Sequence, residues 1–463
     1  MPLRQRPPRA SSSSPERQEL LRQREAARAR IAQDKAAARN RRVRGTSRSK
    51  DKPLLDPHGL YGTRTAQRMR ASKRREVGQK ILLAVLVAIL VTIAWTRLQQ
   101  PRINTLALQK TVALNGEIAS DVTRYADELW FTQQSGALRV IDLGNYSNRR
   151  FATLDFTARA APLVTQAQVF VAAEDGTIHA FERADSRKTW ARKIGASFSA
   201  SPQHRVLDVG GAKLNVLFCA SDEGVVVALK TEDGQPLWRR DLSTTIGNGM
   251  AIVDNRLWIP IGATQNSRGG LACLGLSNGN INRKFDLGAS HIAALASGDA
   301  PQNQNKIVSA GDDGAVFCYD GATKKRLWKI FAQPLPNAPK DQAIVLRGAP
   351  LFKTYSWGER IFIGGNDGAL RAFDAKNGRE LWRHETGAPI LNRPVSWRLK
   401  SEDGERDFVV LSGSNGTLRV LDARDGREER RIENDAASKG VFVVDDTLWN
   451  VMQDGVARQY QSP

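Results

Sequence analysis

The sequence predicts an all-β protein, an eight-bladed β-propeller of four-stranded repeats of about 45 residues each, preceded by a basic tail and one transmembrane helix. Three observations predict it. A turn glycine returns eight times at intervals of 39 to 54 residues. After each glycine, apolar side chains recur with the period of two that belongs to strands, Gln459 in the last copy being the one polar exception. The positive charge is gathered in front of a single uncharged apolar run.

The tail comes first. Residues 1–80 hold 23 Lys or Arg against 7 Asp or Glu, and the rest of the chain holds 46 against 41. The basicity therefore belongs to one segment, which argues against a uniformly basic nucleic-acid-binding globule. Residues 1–14 are Pro, Arg and Ser, too polar to offset the entropy of ordering, and read as disordered. Ser14, Pro15 and Glu16 form a helix start signal, and the Arg, Ala, Gln and Glu that follow suit a helix over 15–44. Its apolar content is little more than Leu20, Leu21 and Ile31, so it presents no core-facing stripe. A turn-rich break at 56–62 and a second basic cluster at 68–80 complete the tail.

Residues 81–95 contain one polar side chain, Thr92, and no charge. Sixteen residues separate Lys80 from Arg97, roughly 24 Å of helix. Snorkelling of both cations and an interfacial Trp95 extend that reach toward a bilayer core of about 30 Å. A cleaved signal peptide fits worse, because the leader is long and no small-x-small site follows. The absence of a cysteine after the run excludes a lipoprotein anchor. We expect a signal anchor over 81–97. The excess of Lys and Arg places 1–80 in the cytoplasm and 98–463 outside, in a bacterial inner membrane.

Residues 98–463 carry the repeat. Its clearest copy is IFIGGNDGALRAFDAKNGRELWRHETG, starting at Ile361, and a close relative is VFVAAEDGTIHAFERADSRKTWARKIG, from Val169. The turn glycines are Gly136, Gly176, Gly224, Gly270, Gly314, Gly368, Gly416 and Gly455. Four of them follow Asp, the residue pair that makes tight hairpins. Strand-like sequence at 105–114 precedes the first full repeat, while the last repeat lacks its fourth strand. The expectation is that 105–114 supplies that strand and closes the last blade, hiding two sheet edges at once.

At these residues the chain resembles the pyrroloquinoline-quinone-like repeat family. The resemblance rests on Asp367-Gly368 with Ala372-Phe373-Asp374 and Gly378 to Trp382, and on Gly224 with Ala228-Leu229 and Gly234 to Trp238. It implies that Trp190, Trp238, Trp328 and Trp382 dock between adjacent blades. Arg283 and Arg430 stand where two further copies have lost the tryptophan, so those junctions are expected to pack differently. The family contains quinone-dependent dehydrogenases as well as binding scaffolds, such as the periplasmic lipoprotein of the outer-membrane protein assembly machine. The dehydrogenases' adjacent cysteines, calcium ligands and long insertions find no counterpart here. Cys219, Cys273 and Cys318 lie in separate repeats, and the stretches 296–306 and 334–342 read as polar loops. The histidines (His58, His179, His204, His291 and His384) show no metal-ligand spacing.

The functional expectation is a non-catalytic interaction scaffold with no catalytic residues, cofactor or metal, and with protein partners in the cell envelope. The tail would meet anionic lipid or a cytoplasmic protein. The alternative is a quinone-dependent oxidoreductase or small-ligand sensor that uses the central channel.

Overall fold

The computed structural model describes residues 106–461, except 292–294, 298–304, 337–342, 347 and 402–403, together with Val85, Val87 and Ala88. The chain divides into two units, Met1–Leu98 and Gln99–Pro463. In the first, Val85, Val87 and Ala88 are helical. The rest of the expected tail and membrane span lies outside the described residues. Among the described residues, no helix is long and apolar enough to cross a membrane.

The second unit is all-β: eight antiparallel sheets of four strands each. Blades 1 to 7 are sequential four-stranded meanders, covering 123–153, 163–193, 203–241, 251–286, 296–331, 351–385 and 395–432. Blade 8 takes three strands from 438–461, and its fourth is Ala107–Ala113. That strand runs antiparallel to Val456–Gln461, with Val112 opposite Ala457 and Leu108 opposite Tyr460. The two ends of the unit thus share one sheet.

Third strands such as Val225–Lys230 and Ala369–Asp374 are buried on both faces, because a neighbouring blade covers each side. The core is accordingly eight separate apolar layers, one per junction. Leu129, Phe131 and Ile141 of blade 1 pack with Trp449, Val451 and Ala457 of blade 8, so the ring is closed. First strands of adjacent blades approach one another, which makes them the innermost. Fourth strands are outermost and mostly exposed, as in Lys188–Lys193 and Ile281–Asp286.

One expected loop contains a strand. Ala296 and Ser297 pair with Val308 and Ile307 as the first strand of blade 5, and Lys306 begins the second. A two-residue strand leaves too short a pattern to read.

Candidate functional site

The junctions between blades are built from the fourth strand. In blades 2, 3, 5 and 6 a register shift within that strand, one residue before the ring, sets a tryptophan opposite a small residue. Trp190 faces Ala180, Trp238 faces Ala228, Trp328 faces Cys318 and Trp382 faces Ala372. Each indole N–H then donates to a backbone carbonyl of the following blade. The acceptors are Thr231 at 2.8 Å, Leu276 at 2.7 Å, Ala375 at 3.0 Å and Ala423 at 3.3 Å.

Each indole also covers a glycine of that next blade. A Cβ built on Gly234, Gly279, Gly378 or Gly426 would fall 2.4–2.7 Å from the ring of Trp190, Trp238, Trp328 or Trp382. These glycines take φ of 64–76°, but conformation alone does not demand glycine there. At the equivalent turn position, blades 1, 2 and 5 hold Tyr146, Ser186 and Lys324 at φ of 60–65°. None of the blades before those three presents a docking tryptophan. Glycine stands in the four places where an indole must lie flat on the turn. This pairing of a tryptophan with a glycine one blade later escaped sequence reading. Its signal was present, as a spacing of 41 to 50 residues between the two.

The junctions without such a tryptophan are filled by other side chains. Blade 4 carries Arg283 opposite Cys273 at that register, with its guanidinium 5.0 Å from the Phe285 ring. The space is filled from inside by Trp258, Phe285 and Tyr319, whose rings lie 4.8–6.4 Å apart. Blade 7 carries Arg430 opposite Val420, and there Trp397 and Phe408 are buried at the junction with blade 8. Between blades 8 and 1, the ring of Tyr146 packs on Trp449 at 5.9 Å.

Seven of the eight expected turn glycines occupy corresponding places at the turn between second and third strands. The carbonyls of Gly136, Gly176, Gly224, Gly314 and Gly368 accept the amide that follows the fourth strand, and that of Gly455 accepts Leu114. Gly416 accepts the Asn434 amide side chain. Blade 4 corrects the eighth. Its turn glycine is Gly269, whose carbonyl accepts the Leu287 amide at 3.0 Å, and Gly270 begins the third strand. A small extra hairpin bridged by Thr264 and Ser267 lengthens this turn.

At the ring axis a cavity of about 330 Å3 is lined by His204, Arg205, Met250, Leu295, Ser297 and Arg393, among others. These residues come from blades 3, 4 and 5 and from the segment entering blade 7, which only the axis can bring together. An adjoining cavity of about 390 Å3 shares Arg205 and Ser297 and extends to Asp254 and Asn305.

Other chemistry-bearing groups are dispersed. Cys219, Cys273 and Cys318 are free and buried in blades 3, 4 and 5, and burial pushes the Cys273 and Cys318 thiols up to about 11 and 12. His291 is buried with Nδ1 2.7 Å from Ser309 Oγ, and His179 stacks on Phe156. Desolvation holds both imidazoles down at about 4. No group of three His, Cys, Asp or Glu among the described residues could hold a metal ion. The axial lining offers two arginines, a histidine and neutral side chains, with Asp254 already ion-paired to Arg256. A quinone with calcium does not fit that donor set.

Residues 222–460, just over half the chain, match the family model described as outer membrane protein assembly factor BamB. The chain belongs to that family. BamB of Shewanella oneidensis is 22% identical over 236 residues, 49% of this chain and 57% of that protein. BamB of Legionella pneumophila is 29% identical over 135 residues, 28% of this chain and 33% of that protein. A 1-butanol dehydrogenase (quinone) of Thauera butanivorans is 46% identical, but over 52 residues, 11% of this chain and 8% of that enzyme. The chain thus spans less than two thirds of each of these relatives. Among solved structures, BamB from Moraxella catarrhalis superposes with a TM-score of 0.57 at 13% identity, covering 77% of this chain and all of that one. A quinohemoprotein alcohol dehydrogenase from Comamonas testosteroni gives 0.56 at 13% identity over 78% and 77%. At such identity these two likenesses speak to the propeller alone.

Proposed function

We propose that this BamB-family propeller is a non-catalytic scaffold that holds protein partners in a bacterial cell envelope. The observation that carries the reading is the extent of the family match, which runs through 222–460, whereas the dehydrogenase likeness stops at about one repeat. A closed ring of eight blades suits the task. Its turns stand on two faces over a rigid core, so loops can vary without disturbing the frame. The apolar run at 81–97 anchors the protein in the inner membrane, with 1–80 in the cytoplasm against anionic lipid or a cytoplasmic protein and the propeller outside. Crosslinking in native membranes followed by mass spectrometry tests this. Envelope assembly proteins linked to loops of the propeller are expected; a set confined to cytoplasmic proteins would overturn it.

The short dehydrogenase matches favour a second reading, a quinone-dependent oxidoreductase. Adding pyrroloquinoline quinone and calcium to the purified protein distinguishes the two. The scaffold leaves the quinone absorption spectrum unchanged, whereas the enzyme shifts it and reduces the quinone in the presence of an alcohol.

A further inference from the structure

The junction between blades 2 and 3 ends in a cleft that the scaffold reading leaves unused. Gln168 opens the second strand of blade 2, opposite Glu182, which closes the third. Two residues further in, Phe170 and Ala180 pack with Leu217 and Leu229 of blade 3, so Gln168 and Glu182 face that blade. Asn215 and Thr231 stand two residues from Leu217 and Leu229 and face back toward blade 2. These four side chains, with His204 and Glu232, line a cavity of about 550 Å3. Gln168 and Thr231 are 8% and 5% exposed, yet neither the Gln168 amide nor the Thr231 hydroxyl has a hydrogen-bond partner among the described residues. The carboxylates of Glu182 and Glu232 are unpaired there as well. Other blades use the same place for the turn. Asp142, Asp320, Asp374 and Asp422 end the third strands of blades 1, 5, 6 and 7, and each accepts a backbone amide of the following turn at 2.7–2.9 Å. Glu182, one methylene longer, accepts none. The cavity lining contains no Lys or Arg. Arg183 turns away toward blade 1, to Glu128 at 2.7 Å and the Tyr125 ring.

We infer that this cleft receives an arginine side chain from an extended loop of a partner protein, its guanidinium on Glu182, Gln168 and Thr231. A half-buried carboxylate beside an unpaired amide and hydroxyl calls for a cation with several donors. The planar guanidinium fork supplies five N–H groups and is less strongly hydrated than an ammonium, so it meets all three acceptors at a lower desolvation cost. The site is held ready for it. The Trp190 N–H donates to the Thr231 carbonyl and its ring covers Gly234, which fixes the turn that carries Thr231 and Glu232. The neighbouring hairpin selects a protein over a free small molecule. Ala212 to Asn215 pair with the first strand of blade 3 but have no third-strand partner, so this hairpin runs past its sheet. On it Val206, opposite Asn215 and on the same face, is half exposed and offers an apolar contact to the residue beside the arginine. The inference rests on the scaffold reading and deepens it by naming the chemistry of one partner contact.

The test is saturation-transfer NMR on the purified full-length chain in detergent, with the acetylated and amidated dipeptide leucyl-arginine as the probe. Its citrulline counterpart, which keeps the shape and loses the charge, and free arginine serve as comparisons. The dipeptide is expected to bind, and the citrulline counterpart to bind about tenfold more weakly. Glu182→Gln should weaken the dipeptide by a similar factor with the melting temperature unchanged, while Glu385→Gln, on the outermost strand of blade 6, should not. Val206→Ser should weaken the dipeptide and leave free arginine as it was. Equal binding of the citrulline counterpart, binding that survives Glu182→Gln, or the absence of any binding overturns the proposal. Free arginine that binds as tightly as the dipeptide would make the cleft a small-molecule site and overturn the partner contact. None of these outcomes alters the crosslinks to envelope proteins, which test the scaffold reading separately.

Discussion

At the scale of single residues, the docking tryptophans and the glycines beneath them act as one unit. Removing a large ring from a packed junction should cost roughly 3–5 kcal/mol, so Trp328→Ala is expected to lower stability by about that amount. Gly378→Ala places a methyl group 2.7 Å from the same ring and should cost about 1–3 kcal/mol by overpacking. In the double variant the methyl group enters the space the indole has left, so the total should fall below the sum of the single losses. Urea unfolding of the four proteins measures that coupling, and strict additivity would mean the two residues do not act together. The buried histidines make a second prediction. The folded protein holds His179 and His291 near 4, while the unfolded chain titrates near 6.5. Between those values the unfolded state takes protons that the native state refuses, so stability falls as pH drops from 6.5 toward 4, by up to about 3 kcal/mol for each histidine. The Asp175 and Asp155 charges near His179, and Asp312 and Asp313 near His291, oppose this; Lys188 and Lys329 reinforce it. Unfolding midpoints across that range should slope less steeply in His179→Phe, and an unchanged slope would assign the effect to other groups.

At the scale of elements, the repeat made most of the architecture legible. Glycine spacing and strand alternation depend on local chemistry, and both recur with each blade. What stayed hidden was what local pattern cannot encode. In blade 4, Gly269 and Gly270 are adjacent and the strand after them, GLACLG, is buried on both faces. Alternation therefore could not choose between two registers one residue apart. The strand Ala296–Ser297 was hidden by its shortness. The axial cavity was hidden because Arg205 and Arg393 are remote in sequence and meet only through ring closure. The closing strand carries its own prediction. Deleting residues 107–113 strips the outer edge from Val456–Gln461 and removes Val112 from the junction between blades 8 and 1. The truncated protein should melt at lower temperature and bind a hydrophobic dye. An unaltered midpoint would mean that blade 8 stands on three strands.

At the scale of the whole molecule, topology is the open measurement. Protease added to spheroplasts should meet the propeller and leave a compact core from the region after Arg97, and trimming confined to residues 1–80 would reverse the orientation. The shared last blade also ties the fold to the order in which the chain is made. Ala107–Ala113 emerges before any other part of the ring, yet its partner strand emerges last. Arg124 likewise waits for the carbonyl of Val443, 319 residues later. Seven blades can form by local meandering while this first strand stays single. During that interval it is an unpaired strand with Leu108 exposed, and Lys110 is its main protection against pairing with another chain. Synthesis therefore sets a period of vulnerability whose length is the time needed to complete the rest of the ring. A chaperone that shields the newly emerged strand would act at the step where this architecture is most exposed to aggregation.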